Sequence, residues 1–335
     1  MSKYVSSRGR AWKRLTIIAI LGLAGCGTIP DRLGGADPIA IHGNVTTFES
    51  GPVLLAAAEH YPGPATVKMG GIPNLVGEPI IPGFGEEGVA DVATHAETQL
   101  LRYSVRNLNL RVILNVTEGL YRVVARRSAG IDSIADLKGR KVATIPTTSS
   151  GYFLSLMLAR EGLTFDDIEV VSISPMAGMA AAIEHGGVDA VVIWEPYSEQ
   201  ARRILGEDAI EFSGEGVYRE LFNLNTTAEN LANPVQRAKI VAFVRAVMDA
   251  AAAVRADPTA AQALVRERGD YEQRDMLDAW KHHAFVATMP DDLLDVLVQE
   301  ELWLAERDKR PARPREVLAT LIDDSVYREA LALGR

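Results

Sequence analysis

From Val89 to Ile193 the chain alternates short apolar runs with amphipathic ones, and that alternation restricts the fold more than any other feature. Val89–Thr94 and Leu110–Leu114 are strand-like, with a short helix predicted over Glu97–Arg106 between them. Tyr121–Arg126 is β-rich, and Ile134–Gly139 reads as a helical turn ending on glycine. A strand over Lys141–Ile145 leads to a helix over Tyr152–Glu161 that Gly162 stops. Strand Val170–Ile173, helix Met176–His185 and strand Val188–Ile193 complete the run. Strands separated by helices build a mostly parallel α/β sheet. Before this run, Pro38–Ile41 is a short strand candidate and Pro52–Glu59 a helix with proline near its start. Between them and Val89, residues 61–88 carry Pro62, Pro64, Pro73, Pro79 and Pro82 among many glycines, which breaks any regular pattern. After Asn225 the pattern turns helical: Pro234–Ala256, Pro258–Arg268, Arg274–His283, Asp291–Arg307 and Pro314–Ile322.

The first 26 residues have a different logic. Lys3, Arg8, Arg10, Lys13 and Arg14 form a positive segment, Leu15–Leu23 is apolar, and Leu23-Ala24-Gly25-Cys26 closes it. The apolar run is well short of the roughly 20 residues that span a bilayer, so the layout is that of a signal peptide over 1–25. Its ending resembles a bacterial lipobox, which implies lipidation of Cys26 and a protein exported to the cell envelope and tethered there. Residues 26–37, rich in Gly, Pro and Asp, read as a flexible tether. Cys26 is the only cysteine, so the body has no internal disulfide and must rely on its core. The net charge of −9 argues against nucleic acid as a partner.

An internal echo is present. Gly88-Val89-Ala90-Asp91 runs to Glu97, and Gly187-Val188-Asp189 runs to Glu195, each glutamate six residues beyond its aspartate. Two α/β lobes of similar design would make a cleft, because ligands of α/β sheets bind beyond the carboxyl ends of strands.

Several stretches, in order, resemble the substrate-binding proteins of bacterial ABC importers of the nitrate/sulfonate/taurine type. They are Gly130–Val142 (GIDSIADLKGRKV), Gly187-Val188-Asp189-Ala190 with Trp194-Glu195-Pro196-Tyr197, and Phe243–Ala246 with Asp257-Pro258. The resemblance implies a two-lobed periplasmic-binding-protein (type II) architecture that closes on its ligand. Lobe 1 would comprise 38–125 and 218–335, and lobe 2 residues 126–217. It also implies a permease and its ATPase subunit as partners, a monomeric state and no cofactor. The segment 61–88 departs from the family's usual strand–helix passage.

Within that frame, the loop Pro146–Gly151 precedes a helix start that favours negative groups, and Thr147, Thr148, Ser149 and Ser150 add hydroxyl donors. The resemblance implies that this loop touches ligand; Ser149 or Ser150 would also cap the helix. Trp194 and Glu195, beyond a buried strand, suit a flat or cationic group. Thr94 and Glu97 hold the matching place in lobe 1, and Thr46, Thr47 and Phe48 follow the first strand. Thr117, Glu118 and Tyr121 are weaker candidates. The carboxylates Glu49, Glu97, Glu118 and Glu195 conflict with an anionic ligand, so an amino-sulfonate or a pyrimidine-like compound fits better than nitrate or a simple alkanesulfonate.

Three patterns do not carry chemistry. Gly83–Gly88 matches G-x-G-x-x-G, but Glu86 and Glu87 would face a pyrophosphate and a strand follows. His282 and His283, adjacent on a predicted helix, splay about 100° apart and suit a solvated face better than a metal. Ala246–Ala256 is interrupted by Asp249 and Arg255, so it reads as helix packing rather than a membrane segment. The expectation is a non-enzymatic receptor with no catalytic residues and no metal. The alternatives are an envelope scavenger or sensor without an importer, and a pyrimidine-precursor synthase on the same fold.

Overall fold

In a computed structural model, residues 36–334 are described; the signal segment, Cys26 and most of the tether lie outside them. Eleven strands form two sheets among the described residues. The first sheet has the order β11-β4-β10-β3-β1-β2 and comprises β1 (Ile39–Gly43), β2 (Ala65–Met69), β3 (Val92–Ala96), β4 (Leu110–Gly119), β10 (Glu220–Thr227) and β11 (His283–Ala284). The second has the order β7-β6-β8-β5-β9 and comprises β5 (Arg122–Arg126), β6 (Lys141–Ala143), β7 (Glu169–Val171), β8 (Ala190–Val192) and β9 (Ala209–Ser213). The architecture is two-lobed α/β.

Neither sheet is mostly parallel. β1 runs parallel to β2 and β3, and β6 to β7 and β8, as strand–helix alternation requires. β10 is antiparallel to β3 and β4, and β5 to β8 and β9. The reason is the crossing between lobes. The chain leaves the first sheet at Gly119, enters the second at Arg122, and returns from Ser213 to Glu220. Strands entering from the other lobe run against those made by local crossovers. The strand Arg122–Arg126, which the sequence reading placed within lobe 1, pairs in the second sheet.

The two crossings touch. Gly214 donates its N–H to the Tyr121 carbonyl at 2.8 Å. A Cβ at position 214 would lie 2.7 Å from that oxygen and 2.6 Å from the Phe153 ring, so this approach requires glycine.

Among the helices of the described residues are α1 (Glu97–Ser104), α2 (Ser149–Arg160), α3 (Tyr197–Leu205), α4 (Pro234–Ala256), α5 (Gln273–Trp280) and α6 (Leu293–Arg307). α4 begins where the sequence predicts it. Asn233 Oδ1 accepts from the N–H groups of Val235 and Gln236, and Pro234 occupies a first-turn position that needs no donor. Its buried face (Phe243, Val244, Val247) packs with Ile41, Val92, Leu114 and Leu224. In the second lobe, Phe153, Leu154 and Leu158 of α2 pack with Val123, Val142 and Val192. None of the described helices is long and apolar enough to cross a membrane.

Candidate functional site

A cavity of about 250 Å³ opens between the sheets, lined by residues from both. Four strand ends supply its walls.

Beyond β1 the chain turns sharply. Thr47 Oγ1 and Ser50 Oγ both donate to the Asn44 carbonyl, at 3.1 and 2.8 Å. The turn presents Asn44, Thr47 and Glu49 to the cavity. It sends Phe48 the opposite way, into a nest of Tyr271, Trp280 and His283 rings. Phe48 is therefore a core residue. Thr46 also stays out of the cavity lining; its hydroxyl bonds Asn44 Oδ1, and its carbonyl accepts from Tyr271.

At the end of β3 and along α1, His95, Ala96, Gln99, Arg102 and Tyr103 line the space. His95 Nδ1 accepts the Ile72 N–H at 3.2 Å, and burial lowers its pKa to about 4, so the ring is neutral with its proton on Nε2. Glu97 and Thr94 do not line the cavity. Glu97 is fully buried behind it, accepting from Tyr218 Oη and from the Leu221 N–H. Thr94 is buried in β3 against Gly43, where only a glycine leaves room for its hydroxyl.

In the second lobe Ile145, Thr147, Thr148 and Ser149 line the cavity. The helix starts three residues earlier than its apolar pattern suggests, so Thr148 holds the cap position and Ser149 and Ser150 lie in the first turn. Thr148 makes no side-chain cap; its hydroxyl donates to the Ile145 carbonyl instead. Ser150 turns inward to Thr144 and Thr148. Ser149 meets the Tyr121 hydroxyl at 2.8 Å.

Trp194 lines the cavity, and its Nε1–H has no partner among the described residues. Glu195 does not, because its carboxylate is 2.8 Å from Arg122 and accepts the Glu199 N–H at 3.0 Å. Arg122 also holds Glu199 at 2.8 Å. One guanidinium serves two buried carboxyls. Burial raises Glu195 to about 7 despite Arg122, while Arg122 and Arg202 outweigh burial at Glu199 and hold it low.

The floor of the cavity carries no local signal in the sequence. Glu220 and Phe222, at the start of β10, face the cavity beside Glu49. Tyr121 Oη donates to Glu220 Oε1 at 3.1 Å. Burial, and then the nearby Glu49 and Glu97, push Glu220 well above the usual carboxylate range. At Glu49 burial acts in the same direction, but His283 at 3.3 Å outweighs it and keeps that carboxyl low. So burial favours the protonated form at Glu220, and His283 favours the charged form at Glu49. The His283 side chain is buried rather than solvated, and β11, not a helix, carries it. His282 is half-buried against Arg122. Thr117 and Glu118 stay out of the lining; Thr117 donates to the Glu49 carbonyl, and Glu118 pairs with Arg219.

The irregular segment 61–88 supplies the outer wall. Asn74 fixes it, accepting the Gly71 N–H and donating to the carbonyls of Glu86 and Gly88. Ile80, Ile81 and Phe84 are thereby turned toward the cavity. At its mouth, Gln99 Nε2 and Arg102 Nη1 reach across to the Thr147 carbonyl, at 3.2 and 3.3 Å.

The family model for NMT1/THI5-like proteins matches residues 84–261, more than half of the chain. A protein named as an aliphatic sulfonates-binding protein of Escherichia coli (strain K12) is 39% identical over 79 residues, 24% of each chain. The chain thus spans about a quarter of the length of the curated relatives it matches. Among solved structures, the periplasmic aliphatic sulphonate binding protein SsuA from Escherichia coli superposes with a TM-score of 0.65 at 16% identity, over 85% of this chain and 92% of that one. The desulfurization enzyme DSZB superposes with a TM-score of 0.61 at 15% identity, over 89% and 100%. At these identities the likeness is one of fold, which binding proteins and an enzyme share.

Proposed function

Because the chain belongs to the NMT1/THI5-like family, we propose that it is the solute-binding protein of an ABC importer. It captures a small organic compound between its lobes and presents the closed form to a permease and its ATPase subunit. In this reading lobe 1 is about 38–121 with 218–335 and lobe 2 about 122–217, the boundary moved from 125 to include the whole strand Arg122–Arg126 in lobe 2. Cys26 carries the lipid that ties the monomer to a membrane in the cell envelope. Thr47, Thr147, Thr148, Ser149 and Trp194 contact the ligand, a taurine-like, sulfonate or pyrimidine-like compound.

The observation that carries this reading is a cavity lined from both lobes, with Gln99 and Arg102 of one bonded to the Thr147 carbonyl of the other. Such a bridge forms only when the lobes approach, and a ligand touching both would favour that approach.

A thermal-shift panel on the full-length protein tests it, using alkanesulfonates, taurine, nitrate, pyrimidines and amines. One compound class should raise the melting temperature and be recovered unchanged. Recovery of an altered compound would replace the receptor with an enzyme.

A further inference from the structure

We propose that the cleft takes an organic cation, with an ammonium or amidinium head between Glu49 and Glu220 and an apolar body against Trp194, Phe84 and Phe222. This narrows the solute class and rests on the reading of the cavity as the binding site.

The two floor carboxyls come from different elements and converge on one cavity. Glu49 is 2% exposed and Glu220 4%. Each has one oxygen engaged by the protein, Glu49 by His283 Nε2 and Glu220 by Tyr121 Oη. The second oxygen of each, Oε2, is buried with no hydrogen-bond partner among the described residues. A buried carboxyl oxygen of this kind is costly unless something pairs with it, whether it is a bare acceptor, as at Glu49, or carries the proton, as at Glu220. A ligand with N–H donors would satisfy Glu49 directly and Glu220 once its proton has left, and its positive charge favours both carboxylates.

The walls agree. Trp194, Phe84, Phe222 and Tyr103 surround the same space, and aromatic faces attract cations as well as apolar groups. The guanidinium in the lining, Arg102, sits at the mouth and is bonded to Gln99 and the Thr147 carbonyl. His95 is neutral. An anionic head at the floor would instead meet Glu49 and Glu220, with Glu97 behind them.

Seating a cation has a proton consequence. Burial and the nearby Glu49 and Glu97 push the Glu220 carboxyl toward its protonated form, against hydrogen bonds from Ser149 of α2 and Tyr121 that favour the carboxylate. A cationic head favours its carboxylate, so the Glu220 O–H releases its proton to solvent on binding. Affinity then rises with pH.

Calorimetry on the full-length protein with benzamidine, benzamide and benzenesulfonate tests the inference, since the three share a phenyl ring and differ in head charge. Benzamidine should bind at least tenfold tighter than either of the others. Its heat should vary between two buffers of different ionisation enthalpy as proton release requires. Glu220→Gln should abolish that variation, and Glu49→Gln should weaken benzamidine at least tenfold. Equal or tighter binding of benzamide or benzenesulfonate overturns the inference, as does failure of benzamidine to bind. If a sulfonate or pyrimidine binds while benzamidine does not, the receptor reading survives and the cation does not; if nothing in either panel binds, both fall.

Discussion

Arg122 and Glu195 form a buried ion pair at 2.8 Å, at the point where the chain crosses from the first lobe into the second. The same guanidinium holds Glu199 on α3 and Glu211 on β9. Removing it leaves two buried carboxyls without a counter-charge. Arg122→Ala should cost about 3–5 kcal/mol of stability. Urea unfolding measures this; a loss under about 1 kcal/mol would show that the pairs add nothing to the crossing.

A second carboxyl group sets the alkaline limit. Glu97 and Glu300 are both fully buried and act on each other's charge; burial raises Glu97, and burial with the Glu97 charge raises Glu300 further. A raised folded pKa means full stabilisation below the unfolded value, near 4.3, and loss as pH climbs. Glu301 behaves oppositely. Burial opposes its ionisation, but Arg310 and Arg313 hold it at about 2, so its contribution fades as pH falls from about 4 toward that value. Stability should peak under mildly acidic conditions. Glu300→Gln should raise the melting temperature at pH 8.5 by about 2–4 °C, equivalent to roughly 1 kcal/mol. An unchanged alkaline limb would mean that the Glu97–Glu300 pair does not titrate there.

The bridge at the cleft mouth is exposed and weak, yet it links the lobes directly. Arg102→Ala should leave the melting temperature within about 1 °C and speed ligand release several-fold. Stopped-flow dissociation reads this. An unaltered release rate would remove Arg102 and its bond to Thr147 from the closing motion.

Much of this organisation is legible in the sequence. The glycine–aspartate–glutamate echo corresponds to a repeated device. Asp91 accepts the Ala40 N–H at 2.7 Å, joining β3 to β1; Asp189 accepts the Lys141 N–H at 2.9 Å, joining β8 to β6. Spacing gives the position of Glu97 and Glu195, but not their direction. Each turns away from the cavity, toward backbone donors and, for Glu195, Arg122. β10 escaped notice because its sequence, ELFNLNTT, carries polar residues on a strand that is buried throughout. Glu220 was missed with it. Nothing local marks a glutamate as a cavity floor when its neighbours, Glu49 and Tyr121, lie 171 and 99 positions away.

The lipobox resemblance makes a separate prediction. Cys26→Ser should move the protein from the membrane fraction to the soluble envelope fraction, followed by fractionation and immunoblotting. Persistent membrane association would contradict lipidation at that residue.

The central claim is that a solute binds between the lobes against Trp194. The most direct test is isothermal titration of the compound that scores in the panel, comparing wild type with Trp194→Ala. One site per chain is predicted, with affinity falling at least tenfold in the variant, about 1.4 kcal/mol, and the melting temperature little changed. Equal affinity in the two proteins would place the solute elsewhere and contradict the account.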